Sequence, residues 1–300
     1  MKRLLPVATA FVGFAIPALL ALAPSPSAAL GADPSSPSIG AVFTARVDVV
    51  RGGVRLANLA LGRDVGVDQA PQSARILPAS FDLDEAADRI DVLDTVNARI
   101  ATFDAGGRAT AAIPFAGGSR TIGDLVRMPD GTRYALDVVR RQVIRIGTGG
   151  GQTVLDEPEL GDDAVNERLE LQGTHLYVGE PRRPLLGAPP AAPAVRAIPD
   201  GRSAMFGVTR VPFERIVLDV VEHAVDGRNT LWAIVDLDDG SQRLVSIDLA
   251  DPTRAQVRTM DASVFGDVTR RLVTLDRGGA VVMSASRTSL VFTRYEEVVR

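Results

Sequence analysis

Cysteine is absent from the 300 residues, and Lys2 is the only lysine. Without a thiol there is no disulfide, no thiolate metal site, no cysteine nucleophile and no lipid-bearing cysteine. Without a lysine beyond residue 2 there is no phosphate-loop lysine and no Schiff-base chemistry. Histidine is nearly as scarce, with only His175 and His223, so a three-histidine zinc site cannot be built. No Gly-x-Ser-x-Gly frame occurs either, and a nucleophile elbow is excluded with it. Basic residues number 33 against 37 acidic ones. They form no basic cluster, which argues against nucleic acid or an anionic membrane surface as a partner.

Long apolar runs are confined to the start of the chain. Lys2 and Arg3 precede an uncharged stretch from Leu4 to Ala23, and Ser27-Ala28-Ala29 follows it. This order of charge, apolar run and small residues predicts a signal peptide over residues 1–29, cut after Ala29. A flexible segment, 30–40, is then expected before the folded domain. The competing reading is an uncleaved anchor, but Gly13 and Pro17 interrupt the run and no charged stop-transfer segment follows it. Removing Lys2 and Arg3 leaves 31 basic against 37 acidic side chains, a net of −6. A secreted or periplasmic, monomeric chain with no membrane insertion is expected.

What the sequence does contain is a repeat. Ile90-Asp91-Val92-Leu93-Asp94 and Arg99-Ile100-Ala101-Thr102-Phe103 have counterparts in Tyr134-Ala135-Leu136-Asp137 and Gln142-Val143-Ile144-Arg145-Ile146. Leu93 and Leu136, Asp94 and Asp137, Ile100 and Val143, and Phe103 and Ile146 are all offset by 43 residues, and the same offset sets Asp88 on Gly131. The units are short β-branched and aliphatic runs bounded by Asp-Gly turns such as Asp130-Gly131 and Asp200-Gly201, which is a strand and hairpin pattern. Weaker copies begin at His175, Thr230 and Ala280. That makes five inner-strand candidates, and the apolar segment Val42 to Leu61 offers strands to close a sixth unit. The expected fold is therefore all-β, a six-bladed β-propeller over residues 41–300. The proline-rich stretch 181–199 is expected to be a loop on one face, a domain linker being the competing reading.

The run from Arg89 to Arg108, with Ile90-Asp91-Val92-Leu93-Asp94, Asn97, Arg99-Ile100 and Phe103-Asp104, resembles the repeat of NHL-type β-propellers over residues 81–147. In the second unit Arg140 and Gln142 stand where Asn97 and Arg99 do, so the polar half of the pattern is not repeated. The resemblance implies architecture. Propellers of this kind include protein-binding modules, RNA-binding modules and a few enzymes.

Three polar residues stand out as channel-mouth ligand candidates: Asp94, Asn97 and Asp137. Short polar side chains at these places also serve tight strand connections by bonding backbone groups. The acidic stretch from Asp156 to Glu170, including Asp162 and Asp163, could hold calcium through carboxylates, but it lacks the spaced ligand pattern of a calcium loop. Trp232 sits among Leu231 and Ile234 and reads as core. No cofactor is expected, with calcium as a possibility. Two functions follow: a non-enzymatic binding or scaffold module for a protein or cell-surface partner, or a metal-dependent hydrolase or lactonase with a channel-mouth cation at Asp94, Asn97 and Asp137.

Overall fold

The computed structural model describes residues 47–50, 53–68, 76–84, 87–155, 168–172, 174–178, 183–186, 197–206, 209–213, 215–225, 228–237, 241–251, 255–260, 273–276 and 279–296. By contacts the chain divides into two units, 1–36 and 37–300, and all described residues belong to the second. The expected signal peptide, the expected flexible segment 30–40, and Asp162 and Asp163 lie outside the described residues.

Every described element is a strand except one 3-10 turn at Ala116–Gly118. Two N-terminal strands, β1 (Val47–Val50) and β2 (Val54–Ala60), precede a four-stranded antiparallel meander of β3 (Ser80–Asp84), β4 (Arg89–Asp94), β5 (Arg99–Asp104) and β6 (Ala109–Pro114). A second meander holds β7 (Ile122–Arg127), β8 (Arg133–Asp137), β9 (Gln142–Ile146) and β10 (Gln152–Leu155). Two smaller sheets follow, β11 (Leu169–Gln172) to β13 (Arg183–Pro184) through β12 (His175–Val178), and β14 (Ala197–Asp200) to β16 (Thr209–Pro212) through β15 (Ser203–Phe206). The last meanders are β17 (Ile216–Val225), β18 (Arg228–Asp236), β19 (Gln242–Asp248) and β20 (Ala255–Thr259), then β21 (Val273–Asp276), β22 (Gly279–Ala285) and β23 (Ser289–Glu296). First strands lie against one another from sheet to sheet: β3 on β7, β7 on β11, β17 on β21 and β21 on β3. The described residues are all-β, with five blades in a propeller-like arrangement.

The expected count of six is thus corrected to five. The N-terminal segment does not found a sixth unit, because β2 pairs antiparallel with β23 and completes the fifth blade. The outermost strand of the last blade thus comes from the far end of the chain, which ties the two ends of the repeat array together. β1 adds in parallel to β20 on the fourth blade. The small β14–β16 sheet belongs with that blade too: Val217 N–H donates to the Gly201 carbonyl at 2.8 Å, and Ala204, Val211 and Phe213 share the core of β17 to β20.

The five segments read as inner strands fall one per blade, but as second strands: β4, β8, β12, β18 and β22. The reason is burial. A second strand is covered on both faces, as in β22 where all seven residues are buried, so its sequence is the most apolar of its blade. The first strands carry carboxylates that tie blade to blade. Asp82 accepts Arg127 N–H at 2.7 Å, Asp124 accepts Leu169 N–H at 2.9 Å, and Asp219 accepts Val273 N–H at 3.1 Å. In each pair the donor is a residue at or near the first strand of the following blade.

The 43-residue offset is visible in the backbone. Asp88 (φ 48°) and Gly131 (φ 86°) are both left-handed, and so are Ala98 (φ 50°) and Arg141 (φ 56°), so each hairpin turn is repeated residue for residue. Phe103 and Ala101 face the core shared with the fifth blade, while Ile146 and Ile144 face the core shared with the first. The repeat therefore presents equivalent positions to the preceding blade. The stretch 181–199 is not a loop throughout, since Arg183–Pro184 forms β13 and its last residues enter β14. Both prolines involved, Pro184 and Pro199, sit in strands at a sheet edge, where a missing N–H breaks no ladder. Among the described residues no helix is long and apolar enough to cross a membrane.

Candidate binding site

Asp94 ends β4 and is fully buried. One carboxylate oxygen accepts Gly66 N–H at 2.9 Å and Asn97 N–H at 3.4 Å. The other accepts Asn97 Nδ2 at 2.8 Å and Arg99 Nε at 2.9 Å. Arg99 in turn donates to the Asp64 carbonyl at 2.8 Å. Asp94 and Asn97 are thus brought together, and the β4–β5 turn is locked to the 61–68 segment. Gly66 is required there, because a Cβ on it would lie 2.5 Å from Val96 Cβ and 2.8 Å from the Asp94 carboxylate.

Asp137 does the same at the end of β8, in the next blade rather than beside Asp94. Also fully buried, it accepts Thr121 Oγ1 at 2.7 Å, Ser119 Oγ at 3.1 Å, Arg140 N–H at 2.9 Å and Val139 N–H at 3.2 Å. The connection from β6 to β7 and the β8–β9 turn are thereby pinned to one carboxylate.

Between these two pinned regions lies a cavity of about 340 Å³. Its apolar wall is Ile76, Ala79, Val96, Ile122, Val138 and Val139. Thr95, Thr121, Arg120 and Asp68 supply the polar groups. A concave, mainly apolar site of this size with few polar groups is what small ligands and inserted side chains use. Rigid walls lower the ordering cost of binding, and here the rigidity comes from Asp94 and Asp137, which stand behind the lining turns. Val139 is 66% exposed, an apolar side chain presented at the opening.

One buried wall residue is polar without being paired among the described residues. Thr95 is buried, and its Oγ1 has no hydrogen-bond partner. A stranded hydroxyl is destabilising, so Thr95→Val, which puts a methyl in its place, is expected to leave stability unchanged or raise it by up to about 1 kcal/mol. Urea denaturation checks this, and a loss larger than about 1 kcal/mol would mean that the hydroxyl is paired in solution.

The opposite ends of the same two blades are held by charge. Asp91, fully buried in β4, accepts Arg133 Nε at 2.6 Å and Nη2 at 3.0 Å, Arg127 Nη1 at 3.0 Å, and Thr102 Oγ1 at 2.6 Å. Arg127 also pairs with Asp84. Burial pushes the Asp91 carboxyl up, but the bidentate Arg133, helped by Thr102 and Arg127, outweighs it and holds the group below the usual carboxylate range. A polar cleft of about 450 Å³ opens beside this cluster.

His175 is exposed at the start of β12, and Trp232 is buried beneath Arg258, whose guanidinium carbon lies 4.8 Å from the ring centre. Sequence reasoning passed over Arg120, Val138 and Val139, which sit in loops with no recurring pattern. It also passed over Asp82, Asp124 and Asp219, for which a signal existed: an acid before an apolar residue in each first strand, as Asp82-Leu83, Asp124-Leu125 and Asp219-Val220.

No family model matches the chain, and no curated protein matches it. Several solved propeller-type structures do. Virginiamycin B lyase from Staphylococcus aureus aligns at 9% identity over 72% of this chain and 94% of that one, with a TM-score of 0.39. The Pan2 WD40 domain of Neurospora crassa aligns at 12% identity over 82% and 90%, with a TM-score of 0.41. An endo-arabinase from Bacteroides thetaiotaomicron aligns at 12% identity over 76% and 100%, with a TM-score of 0.42.

Proposed function

We propose that the protein is an exported, non-enzymatic binding module whose partner seats an apolar group in the cavity between the first two blades. The observation that carries this reading is the use made of Asp94 and Asp137. Each carboxylate accepts four hydrogen bonds, all from the surrounding loops except that of Arg99 at the start of β5. A cation or a reacting group would have to displace those bonds, whereas an apolar ligand uses the pinned walls as they stand. Export is supported by the charge, apolar run and small-residue order of residues 1–29.

The test uses the chain from Leu30 onward, its divalent metal content and its binding of an apolar fluorescent probe such as anilinonaphthalene sulfonate. Saturable probe binding is expected, weakened about tenfold or more by Val139→Asp, which places a charge at the cavity mouth without disturbing the core. Stoichiometric calcium or another divalent ion, lost together with hydrolytic activity in Asp94→Asn, would replace the binding module with the metal-dependent hydrolase. An N-terminus at Met1 on membrane-bound protein would overturn export.

A further inference from the structure

The rim of the cavity carries charge of both signs. Arg120 and Asp68 are the charged residues that line it, and both are exposed. Neither side chain has a hydrogen bond or ion pair among the described residues, although Asp68 exchanges backbone hydrogen bonds with Ile76. Other acids and bases nearby are already satisfied: Asp94 by Arg99 at 2.9 Å and Asp137 by its own loop, with Arg140 at 3.6 Å. One cation and one anion are therefore left open over an apolar floor.

Resting on the reading of this cavity as the binding site, we infer that its ligand is an apolar amino acid or short peptide with free ends. Such a zwitterion matches each feature of the lining. Its side chains fill the surface formed by Ile76, Val96, Ile122 and Val138, its carboxylate meets Arg120, and its ammonium meets Asp68. A fatty acid would leave Asp68 unanswered and an apolar amine would leave Arg120 so, whereas a zwitterion answers both charges. About 340 Å³ lies at the small end of the usual range for ligand cavities, which suits one or two residues better than a long chain.

The experiment titrates the chain from Leu30 with the dipeptide Leu-Leu, its N-acetyl form, its C-terminal amide, and octanoate, following heat and displacement of the fluorescent probe. Leu-Leu is expected to bind and displace the probe, and blocking either end is expected to weaken it by about fivefold. Arg120→Ala should abolish the penalty for amidation only, and Asp68→Ala the penalty for acetylation only. Both side chains are exposed, so the fold is unaffected. Blocked peptides or octanoate binding as tightly as Leu-Leu would overturn the inference. Probe binding that none of the four ligands displaces would sink the zwitterion and leave the cavity reading intact, whereas probe binding indifferent to Val139→Asp would sink both.

Discussion

Asp91→Ala is expected to destabilise the protein by about 3 to 5 kcal/mol, because it leaves the buried Arg133 without its bidentate carboxylate and takes from Arg127 one of its two, Asp84 remaining, in the joint between the first two blades. The side chains of both arginines are mostly buried, 9% and 14% exposed, so water replaces the lost carboxylate only in part. Urea denaturation of the variant measures the loss. A change below about 1 kcal/mol would mean that the pair is solvated in solution and contributes no more than a surface salt bridge. The same site predicts a dependence on acid. The folded-state pKa of Asp91 lies below its ordinary value, so its contribution is complete above the unfolded-state pKa of about 4 and fades as pH falls through the folded value. The unfolding midpoint should therefore drop as pH is lowered from about 5 to 2, and drop less steeply in Asp91→Asn.

Phe103→Ala is expected to produce a loss of similar size, about 3 to 5 kcal/mol, by opening a cavity. Phe103 is 1% exposed in the core that joins the first blade to the fifth, where Phe81 and Phe292 meet edge to face at 5.2 Å. This joint is where β2 closes the ring, so no later element compensates for a void there. Val154→Ala, at a residue 51% exposed on β10, should stay within about 0.5 kcal/mol and serves as the control. A harmless Phe103→Ala would break the assignment of this core.

The strands of the first two blades were legible because each repeats a local pattern: alternation of apolar residues, an Asp at the strand end and a turn residue at the next left-handed position. Such features depend on neighbours within a few residues, and the 43-residue offset carried them intact into three dimensions, down to the left-handed Asp88 and Gly131. The blade number was not legible in the same way. Whether Val54 to Ala60 opens a blade or completes one depends on which edge it meets, and that edge, β23, lies more than 200 residues away in sequence. The most apolar segments also misled as to depth in the blade, since sandwiching between two neighbours makes a second strand more hydrophobic than the first strand beside the axis.

For the site, the sequence by itself determined that thiol, lysine and three-histidine chemistry are excluded, and it singled out Asp94, Asn97 and Asp137 as polar residues at strand ends. Only the tertiary structure decided what they touch. Gly66 reaches Asp94 across 28 residues, and Ser119 and Thr121 reach Asp137 from the connection between blades. Arg120 and Asp68, more than fifty residues apart in the chain, come to one cavity. A cavity is the space left when separate segments pack, so it has no period and no motif, and its lining is fixed by the long-range contacts that local patterning does not encode.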